Sequence, residues 1–249
     1  MVWSLPFFFM KSTSPIYWNI IRLEAVPEDL VWLSSPEQTR LQQYRFPKRA
    51  LDWLSGRWAA KSLVAGILFG NQPYELSELS ILNEASGAPF VEWQGKRNQG
   101  SLSISHRGEY AVAAYCRDPD TSIGIDLELI EPKSQGFVQD YFTAQEADRV
   151  FGLTAQQQAL AASLLWSGKE ALLKALQLGL RIDTRQIALG IPDLHAKEEW
   201  QPLEIRQCPP EAAHLQLFWK RVDQAVLTLA IKQKHPDLEI SPDRLIQIL

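Results

Sequence analysis

At 249 residues, with 46% hydrophobic and 22% charged residues, the chain is long enough for one large or two small domains whose core needs neither disulfide nor metal. Its 9 Trp and 10 Phe speak against intrinsic disorder. A formal charge of −4, spread without long blocks of one sign, offers no basic stripe for a nucleic-acid backbone, so no nucleic-acid partner is expected.

The opening MVWSLPFFFMK is apolar but lacks a basic start and is interrupted by Pro6, so it does not read as a signal peptide. No window reaches the ~18–20 apolar residues of a membrane span. Residues 14–24 have strand composition, and 28–43 read as a helix. After Pro47, the spacing of Leu51, Leu54, Trp58, Leu63, Ile67 and Leu68 predicts a long helix stopped by Gly70. LSILNEASGAPFVEW reads as strand, turn, strand, followed by an exposed loop GKRNQG, and SLSISH and YAVAAYC are two further strands.

DPDTS (118–122) is turn chemistry and marks a boundary, giving domains 1–118 and 119–249. Then come the strand SIGIDLELI, a short helix capped by Thr143 with Glu146 as capping-box partner, and a helix over about 155–178 ending at Gly179. Short strands near 185–190 and 201–206 and a pair, HLQLFWKRV and QAVLTLAIKQ, complete the chain. The order strand, short helix, long helix, strands occurs twice, which predicts an α+β fold of two similar subdomains with a cleft between them. Cys116 and Cys208 lie far apart without CxxC or Cys/His spacing, which favours reduced thiols in a cytoplasmic protein over a disulfide in a secreted one.

Asp126 and Glu128 share one face of a strand, because residues i and i+2 do. Two adjacent carboxylates repel unless a cation joins them, and hard oxygen donors suit Mg²⁺; a solvated acidic edge strand is the alternative. Glu170 and Lys174 stand at i, i+4 on an otherwise apolar helix, either as a surface ion pair or as a rigidly held functional strip. Arg57 and Lys61, also i, i+4, are like charges that could share an anion or simply face solvent. Ser105, His106 and Arg107 at a strand end are suitable phosphate donors, although a lone histidine is more often structural.

These pieces resemble the 4′-phosphopantetheinyl transferases of the large, surfactin-synthetase type. The resemblance rests on Gly124–Glu128 (GIDLE), Trp166–Lys174 (WSGKEALLK), Ser105–His106, the helix segment Gly56–Lys61 and the turn Asn83–Pro89. It covers about residues 45–180; Ala88 departs from it, standing where such a turn usually carries a basic residue, with Lys96 or Arg97 as possible substitutes.

The resemblance implies two α/β subdomains related by a pseudo-twofold, with coenzyme A in the cleft. It implies Mg²⁺ held by Asp126, Glu128 and Glu170, with Glu170 as base for the serine of an apo acyl- or peptidyl-carrier protein. Lys174 and Lys169 would stabilise charge on the bridging and leaving oxygens, and His106, with Ser105, Arg57 and Lys61, would grip the 3′-phosphate and pyrophosphate of the coenzyme. A monomer is the simplest expectation, since the duplicated chain supplies both halves of the cleft. A coenzyme A or carrier-protein binding module without transfer activity, and another Mg²⁺-dependent phosphotransferase, are the competing readings. Against the second, the chain has neither G-x-x-x-x-G-K-[ST] nor G-x-G-x-x-G.

Overall fold

A computed structural model describes residues 14–177, 182–195, 198–234 and 240–248. The first half runs β1 (Ile16–Arg22), α1 (Ser35–Leu41), α2 (Pro47–Phe69), β2 (Leu79–Asn83), β3 (Pro89–Trp93), β4 (Lys96–Arg97), β5 (Ser101–Arg107) and β6 (Tyr110–Cys116). The second runs β7 (Thr121–Leu129), α3 (Gln135–Tyr141), α4 (Ala144–Phe151), α5 (Ala155–Ala175), β8 (Ala188–Leu189), β9 (Gln201–Pro202), β10 (Ile205–Gln207), β11 (Leu215–Val222), β12 (Ala225–Gln233) and β13 (Leu245–Gln247). The duplicated order is present, and the fold is α+β.

Two four-stranded sheets carry the molecule, in the orders β13-β1-β6-β5 and β7-β12-β11-β9. In each half the first strand and the closing hairpin make the same three-strand set, β1-β6-β5 and β7-β12-β11. The strands alternate, so each sheet has two apolar faces. The inner faces meet in a shared core of Ile16, Trp18, Val112, Ile125, Leu127, Leu227 and Leu229, among others. On the outer faces α2 packs against the first sheet and α5 against the second. β13 lies parallel beside β1, Leu245 opposite Ile16, so C-terminal residues close the N-terminal sheet.

β7 is an edge strand, and its free edge is covered by serines. Ser101 and Ser103 of β5 accept hydrogen bonds from the Ile123 and Ile125 amides at 3.2 and 2.9 Å. The period-2 serines of SLSIS thus supply acceptors where a backbone ladder would otherwise be needed.

Some elements differ from the sequence expectations. The helix expected over 28–43 begins only at Ser35, where Ser34 and Glu37 form a capping box and Pro36 sits in the first turn. α3 was not anticipated, and the expected exposed loop after β3 contains the short strand β4. The helix expected to reach Gly179 is α5, ending at Ala175, and Gly179 lies outside the described residues.

Candidate active site

Gly124 lets α5 approach β7. A Cβ there would lie 2.0 Å from the Ala171 carbonyl oxygen and 2.5 Å from the Ala175 nitrogen, so no larger residue fits. At this approach Lys174 reaches over the strand and donates to the Ile125 carbonyl at 3.1 Å and to Asp126 Oδ1 at 2.7 Å. Ser105, the last serine of the β5 row, donates to the same oxygen at 2.8 Å. Asp126 is 5% exposed, and its second oxygen, Oδ2, is buried without a hydrogen-bond partner. A buried, half-satisfied carboxylate is costly unless something cationic or proton-bearing completes it.

Glu170 stands one turn before Lys174 on α5. Burial pushes its carboxyl above the usual glutamate range, Asp126 adds to the shift, Lys174 opposes it, and Glu128 contributes a smaller push upward. Glu170 therefore feels both of the other carboxylates. Glu128 is engaged elsewhere, however: its Oε2 accepts from Lys133 at 3.0 Å and lies 3.7 Å from Arg107 Nε. With Glu128 so held, no cluster of three or more His, Cys, Asp or Glu side chains is arranged around a common metal position among the described residues.

Beside this cluster a cavity of about 990 Å³ opens between α1, α2 and the β2–β3 hairpin. His106 links the two, lining the cavity next to Ser105. Burial holds the imidazole below its ordinary value, Asp52 opposing and Lys174 adding to the depression, so it is neutral near pH 7. Arg57 lines the same wall, only 6% exposed. Its guanidinium stacks over Trp53 at 4.9 Å and donates to Asn83 Oδ1, while its Nε has no partner. Desolvation lowers it to about 10, which still leaves it charged at neutral pH. A buried cation with unused donors on a cavity wall is a receptor for an anion. Arg40 and Arg49, also lining the cavity, add positive charge at the α1–α2 end.

At the departure noted above, Gly87 takes φ 93° and Ala88 offers no charge. Arg97 pairs with Glu84 and lies 4.5 Å over the Phe90 ring, against two residues that line the cavity.

Two sequence expectations are corrected. Lys61 and Lys169, expected on phosphates, are wholly buried and cannot touch a ligand. Lys61 donates to Glu37 Oε2 at 2.6 Å and to the Trp32 carbonyl at 2.7 Å. Lys169 donates to Glu146 Oε2 at 2.8 Å and to the Tyr141 and Thr184 carbonyls at 3.1 and 3.0 Å. The two pairs are duplicates. Each glutamate closes a capping box, at Ser34 and at Thr143, and accepts an amide from the following strand region, Ile81 or Leu189. Each lysine lies three residues after a tryptophan, Trp58 or Trp166. Geometry gives the reason: consecutive helical residues point ~100° apart, so Lys169 cannot share the direction of Glu170, whereas Lys174 can. Glu37 was the missed partner, although its S-x-x-E signature was readable; Lys133, in the loop after β7, carried no signal.

The candidate site thus consists of a cavity whose wall carries His106 and the buried Arg57 guanidinium and, beside it, a lysine with crowded carboxylates, on a duplicated α+β scaffold. Residues 122–230, a segment that holds Asp126, Glu128, Glu170 and Lys174, match the family described as the 4'-phosphopantetheinyl transferase superfamily. The chain is 31% identical over 153 residues to the 4'-phosphopantetheinyl transferase ffp of Bacillus subtilis, covering 61% of this chain and 63% of that protein. It is 25% identical over 149 residues to the 4'-phosphopantetheinyl transferase psf-1 of Bacillus pumilus, covering 60% of each. Over 69 residues it is 36% identical to a holo-[acyl-carrier-protein] synthase of Streptococcus agalactiae, covering 27% of this chain and 58% of that one. Each of these matches spans less than two thirds of the relative's length.

Proposed function

We propose that the chain transfers the 4′-phosphopantetheine group of coenzyme A to a serine of an apo acyl- or peptidyl-carrier protein, releasing adenosine 3′,5′-bisphosphate, with Mg²⁺ as cofactor and as a monomer. The observation that carries the reading is His106, which lines the cavity beside the buried Arg57 and interacts electrostatically with Lys174 and Asp126 of the neighbouring cluster. A coenzyme whose phosphates lie along Arg57 and His106 presents its pyrophosphate to that cluster.

In this reading Arg57 anchors an anionic part of coenzyme A by charge-assisted donation, and neutral His106 donates a hydrogen bond to a phosphoryl oxygen. Glu170, made more basic by burial and by its acidic neighbours, accepts the proton of the carrier serine as its oxygen bonds to the β-phosphorus. The bond from that phosphorus to the bridging oxygen breaks, and Lys174 offsets the charge on the departing phosphate. Asp126 orients Lys174, and Ser105 orients Asp126.

The donor chemistry fits a hard divalent cation: all three carboxylates are oxygen donors, Asp126 Oδ2 is buried and unpartnered, and Glu170 is crowded by the other two. Asp126, Glu128 and Glu170 would hold it, and once bound it would neutralise the pyrophosphate and so favour attack.

Calorimetric titration with coenzyme A and chromatography of the nucleotide product test the proposal. Binding that weakens at least about tenfold in Arg57→Ala, with adenosine 3′,5′-bisphosphate formed only when apo carrier is present, is expected. Tight coenzyme binding with no product from any carrier would leave a binding module instead.

A further inference from the structure

Resting on that reading, the carboxylates raise a question of their own: what neutralises them before a metal arrives. Two lysines do so. Lys174 holds Asp126, and Lys133, from the loop after β7, holds Glu128 at 3.0 Å. Lys133 is not a free surface charge; its side chain is 9% exposed and that of Glu128 12%. Its ammonium also lies 3.5 Å from Glu131 Oε1 and 5.7 Å from the Phe137 ring. Arg107 joins the same two glutamates, approaching Glu128 at 3.7 Å and donating to Glu131 at 2.5 Å.

We propose that Lys133 is a resident counter-ion that keeps Glu128 out of the metal site and is displaced from it when the divalent cation binds. Glu131 and the Phe137 ring are the reason displacement is feasible, because Lys133 keeps a carboxylate and an aromatic face as partners after releasing Glu128. Glu128 released alone, without a cation to receive it, would be a nearly buried charge beside two other carboxylates, which is why the metal and the lysine exchange rather than leave the glutamate bare. Lys133 acts through Glu128 and is a positioning residue.

The test uses the full-length protein and Mn²⁺ alone as probe, with free Mn²⁺ read by electron paramagnetic resonance. Lys133→Met is expected to bind Mn²⁺ about tenfold more tightly, since one competing positive charge is gone, and Lys133→Arg to stay near the wild-type affinity. Independently of any variant, labelling of wild-type Lys133 by an amine-reactive ester, read by peptide mass spectrometry, is expected to rise when Mn²⁺ is added. Unchanged or weaker binding in Lys133→Met, or labelling that Mn²⁺ does not raise, overturns the proposal while leaving the transfer reaction intact. Absence of Mn²⁺ binding in the wild type would sink the metal assignment itself, and this inference with it.

Discussion

At Glu170 the proposed role and stability oppose each other. Its carboxyl is raised above its ordinary value by burial first and by Asp126 next, so in the metal-free protein the folded state holds a proton that the unfolded chain has released. Stability therefore falls as pH rises from the ordinary glutamate range through the raised value, and stays lower above it. Glu170→Gln removes the titration. The metal-free variant is expected to melt higher than wild type at pH 7, by about 2–4 °C for each kcal/mol recovered, with the difference vanishing near pH 4, while transfer activity is lost. Thermal melts of both proteins across pH check this; equal melting temperatures at pH 7 would contradict it. That Asp126 lies close to Lys174 and Glu170 was legible from residue spacing and motif. The engagement of Glu128 was not, because Lys133 meets it through the fold of a loop that carries no periodicity.

At the scale of elements, α5 is held by the buried Lys169–Glu146 pair, and the proposed chemistry falls to a different strip, that of Glu170 and Lys174. Lys169→Met leaves Glu146 as an uncompensated buried charge and is expected to cost about 3–5 kcal/mol of stability. Lys174→Met leaves the buried Asp126 with only the Ser105 hydrogen bond; because the Lys174 side chain is itself 29% exposed and water can take its place, the variant is expected to lose less stability than Lys169→Met while its turnover falls by about 10²–10³. Urea unfolding together with steady-state kinetics separates the two; a stable but inactive Lys169→Met would return that lysine to the catalytic site. Motif reading put both lysines of WSGKEALLK on the substrate because it weighs residue type and order. Helical direction, which was available from the same sequence, separates them. The short start of α1 and the existence of α3 depend on capping and on packing against residues distant in sequence, which a local pattern under-reports.

At the scale of the whole molecule, the two halves repeat their elements but not their chemistry. The strand–helix register that sets Asp126 beside Glu170 and Lys174 sets Asn19 beside Ser62 in the first half, and Asn19 donates to Ser62 Oγ and to the Ala59 carbonyl at 3.3 and 2.9 Å. The fold is thus duplicated, and among the described residues the acidic cluster occurs in the second half alone. What joins the halves at that cluster is the serine row of β5, whose SLSIS alternation was read as a strand without its role being apparent. Ser103→Ala leaves the buried Ile125 amide without its acceptor and is expected to cost about 1–3 kcal/mol, with faster hydrogen exchange at Ile125 than at Leu227 on the neighbouring strand. Unchanged exchange at Ile125 would show that the seam does not depend on this bond.

The most direct test of the central claim is intact-mass spectrometry of an apo acyl-carrier protein incubated with this protein, coenzyme A and Mg²⁺, beside parallel reactions with EDTA or with Asp126→Ala. The account predicts one added phosphopantetheinyl group on the carrier, absent in both parallel reactions. An unmodified carrier across fatty-acid, polyketide and peptidyl types, from a folded protein that binds coenzyme A, would contradict it.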